Sequence, residues 1–210
     1  MRQKETMSDF EVREDEHGIG KVLIVKGSWS SDIADYMKEE GIYALRLTDS
    51  YGFKGEDLSF IPSLTFLKSL EIYCWDAKDI KVLESLPGLE VLSVQFLSTK
   101  KLDFSAFKNI RVAMLTWTKG LASILQLKSI EHLNVQNYPY KTLEPIAHMA
   151  NLKKLYLTSR KLETLEGIEK LEGLEVLDLY NCQQLTSKTG IEKCKNLHHV
   201  EIEACNKLSA

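Results

Sequence analysis

The stretch that decides the fold is 152–171, with the sequence LKKLYLTSRKLETLEGIEKL. Its first half contains Leu155 and Leu157, whose alternation is typical of a strand with one side in a core. Its second half continues in three-residue steps at Leu162, Leu165, Ile168 and Leu171. That step suits a tight helical or 3-10 segment with one face inward. The stretch therefore predicts one short strand followed by one return segment.

The same apolar pattern recurs along most of the chain. It consists of an apolar residue, two variable positions, a second apolar residue, one variable position and a third apolar residue. Its middle members lie at 45, 70, 92, 113, 133, 155, 177 and 200, with separations of 25, 22, 21, 20, 22, 22 and 23. A ninth copy, with Leu23 and Val25, begins 22 residues before Leu45 and Leu47. A period this constant indicates a repeat architecture.

Each repeat is too thin to bury its apolar side alone. Stacked neighbours create one continuous core, and a chain of 210 residues with 44% hydrophobic content can fill it. The sequence therefore predicts an α/β solenoid of about nine short parallel strands, each followed by a return segment.

This pattern resembles the leucine-rich-repeat family, in particular the short cytosolic class with repeats of about 22 residues, over nearly the whole chain. The resemblance implies a right-handed curved horseshoe, with the parallel sheet on the concave face and short helices or 3-10 segments on the convex face. The family places Asn three residues after the third apolar position, where it ties neighbouring coils together. Here that ladder reads Ser28, Ser50, Trp75, Leu97, Thr118, Tyr138, Arg160, Cys182 and Cys205. The missing Asn predicts irregular or wider turns in the middle of the chain.

Residues 1–41 are predicted to form an N-terminal cap, and residues 42–210 the leucine-rich repeats. The cap comprises a hairpin, the first repeat strand and an amphipathic helix that starts at Ser30 or Ser31 and closes at Gly41. At the other end, no capping element is visible after Cys205, so the last strand is predicted to be an exposed edge.

Charge and composition exclude several kinds of partner. The formal charge is −3, from 27 basic and 30 acidic residues. It indicates no basic surface that would bind a phosphate backbone or an anionic membrane. The polar N-terminus has no signal-peptide core, and no stretch is long and apolar enough to span a bilayer. Four irregularly spaced cysteines fit a reducing compartment. We therefore expect a cytoplasmic protein that binds neither nucleic acid nor membrane.

The candidate site is the concave strand face, where the outward residues of all repeats form one surface. Aromatic side chains there resemble interface anchors, and the ends of the band are acidic. The predicted partner-binding residues are Tyr73, Phe96, Met114, Trp117, Asn134, Gln136, Tyr156, Asp178, Tyr180 and Glu201. The alternative interpretation is that Phe96 and Trp117 fold inward and fill gaps left by the missing Asn ladder.

Enzyme hypotheses have little support, since the chain has no glycine-rich phosphate loop, GxSxG or HExxH motif. His199, Glu201 and Glu203 alternate along one strand and could bind a divalent metal in a hydrolase, but such a cluster is more often a solvated edge. We therefore predict no catalytic residues, no cofactor and no metal.

The sequence predicts a non-catalytic protein-binding module. The leading hypothesis is an inhibitor of the immunity-protein type that neutralises a toxin or an enzyme through its concave face. The alternative is a scaffold or regulatory subunit of a signalling enzyme such as a phosphatase. Both hypotheses rest partly on analogy at the level of the fold.

Overall fold

The computed structural model describes residues 9–55, 57–96 and 100–208. The chain divides into two compact units, unit 1 from Met1 to Asn109 and unit 2 from Ile110 to Ala210. Residues 1–8 of the predicted cap and Leu97 of the predicted ladder lie outside the described residues.

Unit 1 contains a sheet that begins with an antiparallel hairpin. Strands β1 (Phe10–Glu14) and β2 (Lys21–Val25) pair with Phe10 opposite Val25, as the predicted hairpin requires. Three further strands then add in parallel: β3 (Ala44–Thr48), β4 (Ser69–Tyr73) and β5 (Val91–Gln95). Their register aligns Leu45 with Leu70 and Leu70 with Leu92, the column that the apolar period predicts.

Helix α1 (Ser31–Glu39) connects β2 to β3. It buries Ile33, Ala34 and Met37, close to the predicted stripe, and Gly41 follows it at φ 64°. Ser30 occupies the N-cap position, but its side chain makes no capping hydrogen bond. The helix is therefore held by its buried stripe rather than by a polar cap.

Unit 2 contains five parallel strands. They are β6 (Val112–Thr116), β7 (His132–Gln136), β8 (Lys154–Thr158), β9 (Val176–Tyr180) and β10 (His199–Glu203). Their register aligns Ala113, Leu133, Leu155, Leu177 and Val200 in one column. Each of the nine repeats in the sequence thus contains one strand of a parallel pair, four in unit 1 and five in unit 2.

The return segments are short 3-10 helices rather than α-helices. In unit 1 they are Asp49–Tyr51, Ile61–Ser63, Ile80–Ser85 and Phe104–Ala106. In unit 2 they are Lys119–Gln126, Glu144–Ile146, Ile168–Lys170 and Ile191–Lys193. Their inward residues, such as Leu83 and Ile168, are fully buried, as are the inward leucines of the strands. The core of each unit therefore lies between its sheet and its return segments.

The turn after each strand does not follow the predicted ladder throughout. Trp75 and Arg160, which stand at the ladder position in the sequence, are exposed and do not turn inward. The preceding residues turn inward instead: Cys74 Sγ lies 3.7 Å from the carbonyl oxygen of Leu47, and Ser159 Oγ donates to that of Tyr138 at 2.7 Å.

Backbone conformation explains which residue takes the ladder position. Asn137, Asn181 and Ala204 have φ near 60°, the left-handed region, and each adds one residue to the turn before the inward side chain. Tyr138 and Cys182 are buried just after two of these residues. Cys74 and Ser159 follow strands without such a residue, so simple alternation turns them inward.

Candidate protein-binding face

The strand side chains that point away from the core form what we call the outer face of each unit. In unit 1 they include Ile24, Arg46, Thr48, Glu71, Tyr73, Ser93 and Gln95. In unit 2 they include Met114, Thr116, His132, Asn134, Gln136, Tyr156, Thr158, Asp178, Tyr180, His199, Glu201 and Glu203. They are the alternate strand positions, between residues such as Leu45 and Leu177 that are fully buried in the core.

The outer face of unit 1 is occupied by a buried polar network. Arg46 binds Glu71 through two hydrogen bonds, from Nε to Oε2 at 3.1 Å and from Nη2 to Oε1 at 3.0 Å. Tyr73 donates to Glu71 Oε2 at 2.6 Å and accepts from Ser93 Oγ at 3.0 Å. Glu71 is 0% exposed, so three adjacent strands are tied by a desolvated ion pair and its hydrogen bonds.

The charges of this network depend on each other. Burial lowers the pKa of Arg46, but its hydrogen bonds to Glu71 and the charge of Glu71 raise that pKa by more, to above its ordinary value. Burial also raises the pKa of Tyr73, and the Glu71 carboxylate adds to the increase. Tyr73 therefore stays a neutral donor at physiological pH, with its hydroxyl already engaged inside the protein.

Phe96 is not a surface anchor. It is 1% exposed, because it follows β5 without a left-handed residue and continues the inward alternation after Val94. Its prediction as a partner-binding residue is wrong as far as surface exposure is concerned, and the alternative interpretation of Phe96 as a core residue describes the structure. Cys74 is buried in the equivalent position after β4.

In unit 2 the outer face becomes more exposed toward β10. Met114, Asn134 and Tyr156 are half-buried, whereas Tyr180 is 53% exposed and Glu201 is exposed. Gln136 accepts a hydrogen bond from Thr116 Oγ1 at 3.1 Å, which fixes the orientation of its amide. The ring of Tyr156 lies 5.0 Å from that of His132. The strands of unit 2 therefore present ordered aromatic and amide groups to solvent.

Trp117 belongs to an aromatic cluster that the sequence did not reveal. Its ring meets that of Tyr140 edge-on at 5.7 Å, and Tyr140 meets Tyr138 at 5.5 Å. Tyr138 is buried and donates to the carbonyl oxygen of Thr142 at 2.9 Å, while Trp117 and Tyr140 are half-buried. Trp117 is thus held by packing at the end of the outer face, and Tyr140 joins the candidate site. The only sequence signal for Tyr140 is its place in Tyr-Pro-Tyr after β7.

The acidic end of the unit 2 face lies on β9 and β10. Asp178 and Glu201 are register partners on these strands, and His199 Nε2 lies 3.6 Å from Glu201 Oε2. Burial and the Glu201 carboxylate raise the pKa of Asp178 above its ordinary value, and His199 lowers it by less. This part of the face therefore presents negative charge that is only partly balanced.

We expect Asp178→Asn to raise the free energy of unfolding at pH 7, because the fold disfavours the ionised carboxylate. A carboxyl whose folded pKa lies above its unfolded pKa costs stability when ionised, and this penalty disappears as pH falls through the folded pKa. The advantage of the variant should therefore vanish near pH 3, about 1 unit below the ordinary pKa of an Asp side chain, where Asp178 is itself protonated. Urea unfolding at both pH values measures it.

Asp103→Asn provides a control of opposite sign. Hydrogen bonds from Ser105 lower the pKa of Asp103, so this substitution should reduce stability at pH 7. If both variants change stability in the same direction, the electrostatic account of Asp178 is wrong.

Among residues 9–55, 57–96 and 100–208, no three His, Cys, Asp or Glu side chains are arranged to hold a metal ion. Burial raises the pKa of Cys74 and of Cys182 to about 12, so both stay thiols at neutral pH. None of the helices in the same ranges is both long enough and apolar enough to cross a membrane.

Solved structures with a similar fold were found in bacteria. Internalin C2 (inlC2) of Listeria monocytogenes superposes with a TM-score of 0.57 at 19% identity, covering 86% of this chain and 80% of that one. An LRR protein of Leptospira interrogans gives a TM-score of 0.51 at 19% identity, over 84% of this chain and 52% of that one. The chain has the leucine-rich-repeat fold. At this level of identity, the likeness of the leucine-rich-repeat chain to these proteins concerns the fold alone.

Curated proteins similar in sequence come from a plant. The disease resistance protein RPP2A of Arabidopsis thaliana is 29% identical over 154 residues, which is 64% of this chain and 12% of that protein. The disease resistance protein RPP4 of the same plant is 26% identical over 178 residues, 80% of this chain and 16% of that protein. The leucine-rich-repeat chain thus spans less than a fifth of the length of either relative. No family model matches it.

Proposed function

We propose that this protein binds another protein, without catalysis, through the outer face of unit 2. The observation that carries the proposal is a set of aromatic side chains, Tyr156 and Tyr180 on that face and Trp117 and Tyr140 in the turns at its end. They range from half-buried to 53% exposed, and Trp117, Tyr140 and Tyr156 are positioned by contacts with neighbouring rings before any partner arrives. Ordered aromatic groups give a large contact area for a small loss of conformational entropy, which is why they are common interface anchors.

The acidic end of the face specifies the chemistry of the partner. Asp178, Glu201 and Glu203 project from adjacent strands on one side of Tyr180. A partner with Lys or Arg opposite these carboxylates gains charge-assisted hydrogen bonds and faster association. Met114, Asn134 and Gln136 complete the predicted contact set beside the aromatic set. Tyr73, which lies on the outer face of unit 1, also stays a predicted contact residue, although its hydroxyl already donates to Glu71.

The specific role we propose is that of an inhibitor of the immunity-protein type, which neutralises a toxin or an enzyme by covering a basic surface. A cytoplasmic location belongs to this proposal. The support is the acidic end of the face together with the absence of catalytic motifs in the sequence. The two plant relatives are named disease resistance proteins, and a defensive role such as neutralisation is consistent with that name.

The first experiment tests the face. The protein is used as bait, the captured partner is identified by mass spectrometry, and its affinity is measured by calorimetry. We expect Trp117→Ala and Tyr156→Ala each to weaken binding by about 2 kcal/mol, roughly 30-fold, because truncating an anchor removes buried contact area.

Tyr43→Ala is the matched control. Tyr43 is an aromatic residue that is 41% exposed just before β3, outside the outer face of unit 2. Its loss should leave the affinity unchanged. Parent-like affinity in a folded Trp117→Ala/Tyr156→Ala double variant would place the interface on another surface, such as the loop 50–57.

The identity of the partner decides between the two roles. A small basic protein whose activity is lost in the complex supports neutralisation. An abundant signalling enzyme, such as a phosphatase, whose activity is retained and redirected supports a regulatory subunit and contradicts the inhibitor role.

A further inference from the structure

A cleft lies in unit 1 beside the ends of strands β3 and β4. It has a volume of about 370 Å³, and its walls are the turns that follow these two strands, 49–55 and 74–76. This volume is near the lower end of the roughly 300–1,000 Å³ of small-ligand sites, so the cleft has room for a single side chain of a partner. The residues that line it are distinct from those of the proposed binding face of unit 2.

The walls of the cleft are fixed by packing within unit 1. A Cβ at Gly55 would lie 2.5 Å from the Cβ of Cys74, so the two turns approach this closely only because residue 55 is glycine. Phe53 is buried, and its ring meets that of Phe60 edge-on at 6.2 Å. Phe60 in turn stacks on Trp29 at 4.3 Å. The cleft is therefore formed before any ligand enters it.

An exposed indole stands at the rim of the cleft. Trp75 is 47% exposed and lines the cleft from the turn after β4. The flat face of an indole carries a negative electrostatic potential, and it attracts a cation more strongly than the ring of Tyr or Phe does. Trp75 therefore favours a cationic ligand.

The charges of the lining favour the same kind of ligand. Asp49 and Asp76 line the cleft together with Lys54, and all three residues are exposed. Neither carboxylate takes part in the ion pairs that the described residues of unit 1 form. Burial raises the pKa of Cys74 to about 12 and the charge of Asp49 adds to the increase, so the negative potential of Asp49 extends to the buried thiol. Two carboxylates against one ammonium leave the described lining acidic on balance.

The open rim favours a side chain of a partner protein over a free small molecule. A small-ligand site buries most of the surface of its ligand, whereas the exposed residues Asp49, Trp75 and Asp76 leave this cleft open to solvent. A side chain that enters from the surface of a partner keeps its backbone outside, so it needs no closed cavity.

Among cationic side chains, Arg suits the cleft better than Lys. The guanidinium group is planar, stacks on aromatic rings and donates to carboxylates through a rigid fork of N–H groups. It is also less strongly hydrated than an ammonium group, so it loses less when it leaves water.

We propose that this cleft binds the guanidinium group of an Arg side chain on a partner protein. The guanidinium stacks on Trp75, and its N–H groups donate to the carboxylates of Asp49 and Asp76. Lys54 competes for the same carboxylates and moves out to solvent when the guanidinium enters, which its exposed and flexible side chain allows. The site belongs to unit 1 and does not rest on the binding proposed for unit 2.

The test is an NMR titration of the protein with a short peptide of blocked ends that carries one Arg among Gly and Ser residues. The amide signals of Gly52 and Gly55 and the indole N–H signal of Trp75 report on the cleft. We expect saturable shifts in the millimolar range, because one stacked ion pair is a small contact. The same peptide with citrulline, which has the shape of Arg without its charge, should bind about tenfold more weakly. The Lys peptide should bind about threefold more weakly.

Substitutions in the lining test the roles of the indole and the carboxylates. Trp75→Ala should weaken binding of the Arg peptide about tenfold, because it removes the stacking surface. Asp49→Asn and Asp76→Asn should each weaken it about threefold. Tyr43→Ala and Asp35→Asn are the matched controls and should have no effect, since Tyr43 is 41% exposed, the Asp35 side chain is 70% exposed and neither lines the cleft. All five positions are exposed, so the variants should fold, and circular dichroism checks this.

Lys54→Gln separates a cationic from an anionic ligand. Removal of the competing ammonium should strengthen binding of the Arg peptide about twofold. If the cleft instead binds anions, a Glu peptide of the same length should bind, and Lys54→Gln should abolish that binding. That outcome contradicts the proposal.

Three results would overturn the proposal. The first is the absence of saturable shifts with the Arg peptide at tens of millimolar. The second is equal binding of the Arg peptide and of either the citrulline or the Lys peptide, since the guanidinium would then not be what is recognised. The third is parent-like binding in the Trp75 and Asp variants, which would place the peptide elsewhere. The Trp117→Ala/Tyr156→Ala variant should bind the Arg peptide like the parent protein, so failure of this site is distinguishable from failure of the unit 2 face.

Discussion

Arg46→Met should lower the free energy of unfolding by about 3–5 kcal/mol, among the largest effects of any single substitution in this protein. The change removes the guanidinium that neutralises Glu71 and leaves a carboxylate that is 0% exposed without its counter-ion. Tyr73 alone would then hydrogen-bond Glu71. Urea unfolding at pH 7 measures the loss.

Two control variants separate burial from charge. Arg46→Met/Glu71→Gln removes both charges and leaves an amide oxygen for Tyr73, so most of the lost stability should return. Lys170→Met breaks an ion pair with Glu144 at 2.9 Å, but both side chains are about half exposed. Its loss should change stability by less than about 1 kcal/mol. If Lys170→Met and Arg46→Met have equal effects, burial of the Glu71 pair is not what matters.

Gly167→Ala should destabilise the protein by about 3 kcal/mol, through two causes that add. Gly167 has φ +99°, which side-chain-bearing residues rarely adopt, and it starts the return segment Ile168–Lys170. A Cβ there would lie 2.8 Å from the backbone nitrogen of Glu144 and 3.0 Å from the carbonyl carbon of Leu143. Because these are backbone atoms of the neighbouring coil, the coils must move apart. Thermal and urea unfolding both measure the effect.

Gly190 is the matched position in the next repeat. It has φ +103°, so Gly190→Ala carries the same backbone strain. Its added Cβ would meet a side-chain methyl of Ile168 at 2.9 Å, and a side chain can adjust more easily than a backbone. Gly190→Ala should therefore be clearly milder than Gly167→Ala. Equal losses would show that strain alone acts and that the close approach of the coils is unimportant.

The strand positions were predictable because they rest on local chemistry. Each strand holds two alternating apolar residues, and a strand shifted by one residue would turn both of them to solvent. The register of Leu45 with Leu70, and of Leu155 with Leu177, follows from that penalty. The candidate face was predictable in part for the same reason, since Tyr156 and Tyr180 lie between the inward residues.

The turns were not predictable from the apolar pattern. After the last inward residue of a strand, either the second or the third following residue turns inward. Which of the two does so depends on one backbone angle, the φ of the residue just after the strand. Asn at 137 and 181 is compatible with the left-handed region, but Ala204 adopts it with no sequence signal. The apolar pattern alone therefore predicts a surface position for Phe96, although Phe96 is buried in the core.

The sequence by itself determined the repeat, the direction and register of the strands and the row of outward side chains, since all of these follow from the penalty for exposing regularly spaced leucines to water. The tertiary structure decided which outward groups already bind one another within the protein. Arg46, Glu71, Tyr73 and Ser93 are outward residues that hydrogen-bond one another across three strands, whereas Trp117 and Tyr140 meet from neighbouring turns. Such contacts depend on distances between residues 20 or more positions apart, for example 117 and 140, which no local pattern encodes.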